Sequence, residues 1–181
     1  MDWEIVPLPT RGPLFDGAIA VYGRAFALPP YSDPDRGAEV RDRILDLHRQ
    51  RAAFQALAAV TAGEHVIGMT YGYRGVPGQW WHDTVARAIT LPLAAYWLAS
   101  SYEIVELAVE PERQGQGVGS ALMERLLDGR TECTCVLSTR TDSRAHELYG
   151  RHGFEVITEM RFANRGALFY IMGKRLRPPA D

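Results

Sequence analysis

A glycine-rich segment in the middle of the chain has the residue types and spacing of an anion-binding loop. It runs Gln114-Gly115-Gln116-Gly117-Val118-Gly119-Ser120, between an apolar run that ends at Val109 and a predicted helix at 118–127. Glycine lets backbone amides approach a ligand closely, and the first turn of a helix offers unpaired N–H groups at a positive dipole end. The segment therefore predicts a site for the pyrophosphate of a phosphorylated cofactor, bound by backbone groups rather than by lysine.

Two commoner glycine loops do not fit this segment. A dinucleotide-binding fingerprint requires Gly-x-Gly-x-x-Gly, but Ser120 stands where the third glycine belongs, and several predicted strands precede the loop. A P-loop requires Gly-Lys-Ser/Thr, and the single lysine of the chain is Lys174.

A second motif follows the next predicted strand, at 133–138. It begins at Asp142, contains Ala145 and Tyr149, and ends at Gly153-Phe154. Together with the glycine loop, it resembles the GNAT superfamily of acyl-CoA-dependent N-acyltransferases, whose later helix has the pattern Asn-x-x-Ala-x-x-x-Tyr-x-x-x-Gly-Phe. Asp142 replaces the asparagine. A turn that merely needs glycine would explain the loop but not the tyrosine motif.

The resemblance implies the fold class: a mixed α/β (α+β), GNAT-like single domain over residues 1–181. Its central mixed sheet of six to seven strands is flanked by helices, and strands four and five are splayed. With 181 residues, 46% of them hydrophobic, the chain can bury one core. Hydrophobic periodicity predicts strands at 3–6, 54–60, 65–73, 102–109, 133–138, 154–162 and 167–172, helices at 15–27, 36–51 and 118–127, and a helix carrying Tyr149.

Two segments of this pattern have open interpretations. On the helix at 36–51, the arginines, Arg43 among them, are expected to form a solvated face opposite Val40, Ile44 and Leu47. The segment at about 76–100 is an aromatic insertion beyond the family minimum, with three of the four tryptophans, and its apolar spacing predicts a lid or satellite core. Alternatively, Trp80, Trp81 and His82 line an acceptor pocket or a homodimer contact.

The resemblance assigns coenzyme binding mainly to backbone groups. Strand residues from Leu107 to Val109 would pair with the pantetheine arm of acetyl-CoA, and amides from Gln114 to Ser120 would bind its pyrophosphate. Asp142 cannot donate the N–H that asparagine would offer to a pantetheine carbonyl, so Ser143 or a water is expected to substitute. The expected cofactor-binding residues are Leu107, Ala108, Val109, Gln114, Gly115, Gln116, Gly117, Val118, Gly119, Ser120, Asp142 and Ser143.

Three residues are candidates for catalysis. By resemblance, Tyr149 protonates the departing thiolate, to which a phenol with an ordinary pKa of about 10 is suited. A buried core tyrosine is the alternative. Glu106 is favoured as the base that deprotonates the amine, with Glu103 as its rival, because strand alternation sends the two side chains to opposite faces. Either carboxylate could instead be a structural acceptor.

The expected function is an N-acetyltransferase that moves an acetyl group from acetyl-CoA to a primary amine of a small molecule by direct transfer. A protein lysine or N-terminal acetyltransferase is one alternative. A non-catalytic acetyl-CoA-binding regulatory module is another.

The composition of the chain also predicts that several kinds of partner, signal and site are absent. The formal net charge of −2 predicts neither a nucleic-acid partner nor a membrane partner. The start of the chain, Met1-Asp2-Trp3-Glu4, lacks the features of a targeting signal, so a cytoplasmic location is expected. No metal site is expected, because Cys133 and Cys135 lie two apart in a predicted strand and the five histidines are scattered.

Overall fold

The structure, a computed structural model, describes residues 2–176 and has the predicted mixed α/β class. These residues form seven strands of mixed orientation and six α-helices. The strands are β1 Trp3–Pro7, β2 Gln55–Thr61, β3 Val66–Gly75, β4 Ser101–Val109, β5 Thr134–Arg140, β6 Glu155–Met160 and β7 Phe169–Arg175. The helices are α1 Pro13–Ala27, α2 Arg36–Asp42, α3 Trp80–Ala88, α4 Leu91–Leu98, α5 Val118–Leu127 and α6 Ala145–Arg151.

The chain divides into two compact units. The first comprises the described residues up to Tyr73 together with Val105–Asp128. The second comprises Arg74–Ile104 and the described residues from Gly129 onward. Within residues 2–176, no helix is long and apolar enough to cross a membrane.

In the first unit, helices cover both faces of an antiparallel set of strands. β2 pairs with β1 and with β3, and the hydroxyl of Thr70 on β3 donates to the backbone C=O of Glu106 on β4 at 2.8 Å. On one face, α1 and α2 bury Phe15, Ala18, Tyr22, Phe26, Val40 and Ile44 against Ala56, Ala58, Val60, Met69, Tyr71 and Tyr73. On the other face, a Cβ at Gly68 would lie 2.9 Å from a methyl of Leu122, so α5 packs closely there.

In the second unit, β4 and β5 are parallel and β7 lies antiparallel between β5 and β6. The parallel pairing joins Ser101–Glu103 to 134–136, at the amino-terminal ends of both strands. β5 pairs with β7 along its whole length, from Thr134↔Arg175 to Arg140↔Phe169. The β4–β5 orientation is the one that the family resemblance requires.

The segment at 76–100 forms two short helices, α3 and α4, that belong to the core of the second unit. Val85, Trp97 and Leu98 pack against Val136 of β5 and Ile171 of β7. Pro92 lies in the first turn of α4, where its missing N–H costs no hydrogen bond. Of the four apolar residues whose spacing predicted a satellite core, Val85 and Trp97 are buried there and Ile89 packs against them, whereas Leu93 is 37% exposed.

The predicted helix at 36–51 is not regular. α2 ends at Asp42, and the chain continues as a π-helical turn, Arg43–Leu47, and a 3₁₀ turn, His48–Gln50. A π turn contains more residues than an α turn, so the side chain that points toward the sheet after this turn is that of His48 rather than that of Leu47. His48 is buried, whereas Leu47 is exposed.

Gly173→Ala is expected to destabilise the protein, because the new Cβ would lie 2.5 Å from the Trp97 ring and 2.8 Å from a methyl of Ile157. Overpacking of this kind costs about 1–3 kcal/mol, which urea unfolding measures. The control is Gly150→Ala in α6, where a Cβ meets nothing within 4 Å. An equal loss of unfolding free energy in both variants would contradict the packing argument.

Candidate active site

The glycine loop has the backbone conformation that its sequence predicts. Gly115 and Gly117 have φ of 75° and 87°, in the left-handed region that favours glycine. Gly117 is the N-cap of α5, and the Ala121 N–H donates the first helical hydrogen bond to its carbonyl at 3.0 Å. The amides of Val118 and Gly119, in the first turn, therefore have no acceptor within the helix. A Cβ at either glycine would meet nothing within 4 Å, so the loop is open on that side.

Side chains fasten this loop to the end of β4. The Gln114 amide donates to the backbone carbonyl of Val109 at 3.2 Å, and the Gln116 amide donates to the carbonyl of Glu112 at 2.9 Å. Arg24 of α1 holds Glu110 through contacts of 2.6–3.1 Å. The last residues of β4, the turn after it and the loop are thus held in one arrangement before any ligand binds.

Leu107 and Val109 are half-buried, and Ala108 between them is buried in the core against α1 and α2. Alternation along β4 therefore places Ala108 with Glu106, and Leu107 with Val109, on opposite sides of the strand. The Val109 carbonyl already accepts from Gln114. A ligand that pairs with the Val109 carbonyl would use the second lone pair of this oxygen.

Glu106 lies at the centre of a buried polar cluster in the first unit. Its side chain is 8% exposed, and one carboxylate oxygen accepts from Nη2 of Arg43 at 3.1 Å. The Tyr22 hydroxyl also interacts with Glu106, and it accepts from Nε of Arg36 at 2.9 Å. Burial, and secondarily the Glu106 charge, raise the pKa of Tyr22 far above its usual value, so the phenol remains protonated. Glu106 thus faces Arg43 directly and Arg36 through Tyr22.

His48 and Tyr71 form a second buried pair beside this cluster. His48 Nδ1 lies 3.0 Å from the Tyr71 hydroxyl. Burial, with Arg51 and Arg43 as smaller causes, lowers the pKa of His48 to about 4. The imidazole is therefore neutral at neutral pH and adds no charge to the cluster.

The expectation of a solvated arginine face on this helical segment holds only in part for Arg43, because its side chain is 40% exposed but its Nη2 contacts the buried Glu106. Arg41, whose side chain is 36% exposed, pairs with the exposed Asp16 at 2.5 Å. Arg43 lies beside the apolar stripe of Val40 and Ile44 on this segment. This position is the one sequence signal that could have indicated its contact with Glu106. Tyr22, Arg36, His48 and Tyr71 were also missed, because their partners lie far away in the sequence.

The second unit contains the other two catalytic candidates. Glu103 is 3% exposed on β4. It lies three residues before Glu106, so strand alternation places the two side chains on opposite faces. Tyr149 is 7% exposed in α6, with its ring edge-on to Phe154 at a centroid distance of 5.7 Å. Burial and packing of this kind suit a core tyrosine as well as a positioned proton donor.

Asp142 and Ser143 are held by local contacts. The Asp142 carboxylate binds Arg140 through two hydrogen bonds, at 2.9 and 2.7 Å, and Arg140 lowers the pKa of Asp142. The buried Ser143 hydroxyl accepts from the N–H of Ala145 at 3.2 Å and keeps its own proton for another acceptor. Ser143, not Asp142, can therefore supply the donor that asparagine would have provided.

Trp80, Trp81 and His82 do not act as one patch. Trp81 is buried, and its indole N–H donates to the Ser138 hydroxyl at 3.1 Å. His82 is also buried, whereas Trp80 is 63% exposed and packs its ring against Phe162. Among these three side chains, only Trp80 is available to a ligand or partner. Across residues 2–176, no group of three or more potential metal ligands is found.

Comparison with known proteins identifies the class. Residues 77–156, which include most of the aromatic segment, match the family model of the acetyltransferase (GNAT) domain. The chain is also 36% identical over 191 residues to the GCN5-like protein acetyltransferase Rv2170 of Mycobacterium tuberculosis, covering 88% of this chain and 90% of that protein. It therefore belongs to the GNAT superfamily and is an acyltransferase enzyme.

Solved structures share the fold. A protein described as histone acetyltransferase HPA2 and related acetyltransferase, from Corynebacterium glutamicum, is 21% identical with a TM-score of 0.66, covering 99% of this chain and 100% of that one. The ribosomal-protein-S18-alanine N-acetyltransferase of Escherichia coli is 20% identical with a TM-score of 0.63, covering 99% and 97%. At these identities the likeness concerns the fold alone.

The buried His48 predicts a loss of stability in mild acid. Its pKa is about 4 in the folded protein and about 6.5 when unfolded, so the unfolded chain binds more protons between these values. The contribution is complete above about pH 6.5 and is lost as the pH falls to about 4. His48→Gln removes this titration and is expected to flatten the pH dependence of the unfolding free energy by roughly 1–3 kcal/mol.

Urea unfolding at several pH values between about 7 and 4.5 measures this difference. The exposed His65→Gln is the control and is expected to keep the wild-type slope. Identical slopes for His48→Gln and the wild type would show that His48 is not buried as a neutral group.

Proposed function

We propose that this acetyltransferase moves the acetyl group of acetyl-CoA directly to a primary amine. The observation that carries the proposal is the loop from Gln114 to Ser120, where left-handed Gly117 leads into α5. First-turn amides without helical acceptors suit a pyrophosphate, because they offer several donors and a positive dipole end at one place. The open space at Gly115 and Gly117 is consistent with a ligand approaching the backbone there.

The pantetheine arm is proposed to bind along β4. Leu107 and Val109 would offer backbone N–H and C=O groups to its amides, and their half-buried side chains leave the strand accessible. The pairing of β4 with β5 involves the first three residues of each strand, a pattern expected when two parallel strands are splayed at their carboxyl ends. Ser143 is proposed as the donor to a pantetheine carbonyl.

The chemistry requires one proton to leave the amine and one to reach the sulfur. The amine nitrogen attacks the thioester carbon, the C–S bond breaks, and the thiolate leaves with the bonding electrons. We assign protonation of the thiolate to Tyr149 and acceptance of the amine proton, through water, to Glu106. Glu103 remains the rival base, since it is also a buried carboxylate on the same strand.

Two classes of acceptor compete for the proposed site. A small-molecule amine is the first candidate, as the sequence suggested. A protein amine is the second, favoured by the name of the Mycobacterium tuberculosis relative, a GCN5-like protein acetyltransferase. Measuring kcat/KM for a panel of small amines beside lysine and N-terminal peptides decides between them. A cytoplasmic location and a homodimer remain predictions.

Gly117→Ala is expected to weaken acetyl-CoA binding about tenfold. Alanine at φ of 87° costs about 1–2 kcal/mol, so the loop would leave the conformation that presents its amides. Isothermal titration calorimetry measures the affinity. Gly129→Ala is the matched control, because Gly129 also has a positive φ, of 69°, but follows α5 instead of preceding it.

The control is expected to lose similar stability while keeping its acetyl-CoA affinity. If Gly117→Ala binds acetyl-CoA as tightly as the wild type, the loop is only a structural turn. If the wild type does not bind acetyl-CoA, the proposed function itself is wrong.

Tyr149→Phe is expected to lower kcat about 100-fold while acetyl-CoA affinity stays within about threefold. The substitution removes a proton donor and keeps the ring that packs on Phe154. Steady-state kinetics and calorimetry separate the two effects. Tyr102→Phe, at a fully buried tyrosine of β4, is the control and is expected to keep kcat. A loss of stability without a loss of kcat would make Tyr149 a core residue.

A further inference from the structure

The polar cluster around Glu106 contains more positive than negative charge. Arg36 and Arg43 both reach it, whereas Glu106 is its buried carboxylate. His48 adds no charge at neutral pH, and Arg51 lies close by, 4.4 Å from the centre of the Tyr73 ring. The other acidic residues of the α2 segment are exposed: Glu39, Asp42 and Asp46.

Arg43 keeps a hydrogen-bond donor that the described residues do not use. Nε of Arg43 is buried and has no partner within residues 2–176, while its Nη2 contacts Glu106. Arg36 uses Nε for the Tyr22 hydroxyl, and its guanidinium lies 4.7 Å from the centre of the Phe26 ring. An unsatisfied buried donor is unfavourable, so an acceptor that reaches this guanidinium is expected to stabilise it.

The two side chains remain reachable from solvent. The Arg43 side chain is 40% exposed, and Arg36 is half-buried. A guanidinium is a planar fork of donors that matches the two oxygens of a carboxylate. A second cation such as a polyamine would instead be repelled by the positive excess.

We propose that Arg36 and Arg43 form a carboxylate-binding subsite beside Glu106, so that the preferred acceptor is an amine that also carries a carboxylate. This inference rests on the proposed function, since it names the substrate class of the same site. The carboxylate can come from a free amino acid or from an acidic residue beside the reacting amine of a peptide. Both sources present the same chemistry to the two arginines.

The experiment compares acceptors that differ only in the carboxylate. Lysine is paired with cadaverine, and an N-acetylated Lys-Glu amide is paired with its Lys-Gln analogue. In the wild type, kcat/KM is expected to be at least tenfold higher for the carboxylate member of at least one pair. Calorimetric binding of the same four compounds, with coenzyme A present and absent, provides a readout that does not require turnover.

Arg36→Gln is the informative variant, because Arg36 does not contact Glu106 directly. It is expected to reduce the carboxylate preference at least fivefold in both kcat/KM and Kd. Arg43→Lys keeps the charge but loses the fork, so it is expected to reduce the preference as well, together with the rate. Arg41→Gln on the same helix is the control, since Arg41 binds Asp16 at the surface, and it is expected to keep the preference.

A preference in the lysine pair alone identifies a free amino acid as the source, and one in the peptide pair alone identifies a peptide; either supports the subsite. Equal kcat/KM and equal Kd within both pairs would overturn it, as would a preference that Arg36→Gln leaves unchanged. Failure of the proposed function has a different signature, which is the absence of acetyl-CoA binding by the wild type. In that case the binding measurements without coenzyme still decide on the subsite.

Discussion

A buried carboxylate on β4 imposes the strongest physical constraint on the first unit. Glu106 is 7% exposed in a strand whose neighbours on the same face are apolar. A carboxylate cannot leave water without donors, and removing one partner of a buried ion pair costs about 3–5 kcal/mol. Arg43 and Tyr22 meet this need at the cost of bringing further polar groups inside. The core between the helices and the strands is therefore organised around charge as well as around apolar contact.

The π-helical turn at Arg43–Leu47 is the local feature that meets this constraint. π turns are rare, and they occur frequently at functional sites. Here the turn directs Arg43 and His48 toward the strands and leaves Leu47 51% exposed. A regular helix with the same sequence would bury Leu47 instead. The helix is irregular at the place where its side chains contact Glu106. Departures from local structural rules of this kind are common at functional sites.

In the aromatic segment at 76–100, apolar packing rather than a buried charge determines the structure. Trp81 and Trp97 belong to the packed interior of the second unit, where Trp97 lies so close to Gly173 that a side chain at this position would force a neighbour to shift. Trp80, one position from Trp81, remains exposed. Neighbouring residues of a helix point in different directions, so a cluster in sequence is not a cluster in space. The segment contributes stability through two of its tryptophans and offers one to the surface.

Local patterns in the sequence determined much of this protein. Spacing within a few residues accounts for the bounds of α5, the glycine conformations before it and the tyrosine motif of α6. It also accounts for the opposite faces of Glu103 and Glu106. Only the tertiary structure decided that Arg43 binds Glu106, 63 positions away, that Tyr22 and Arg36 join them, and that His48 is neutral. These properties depend on which distant side chains share a buried, weakly screened environment. Sequence periodicity gives the face of an element but not the residue opposite it, because packing sets that partner.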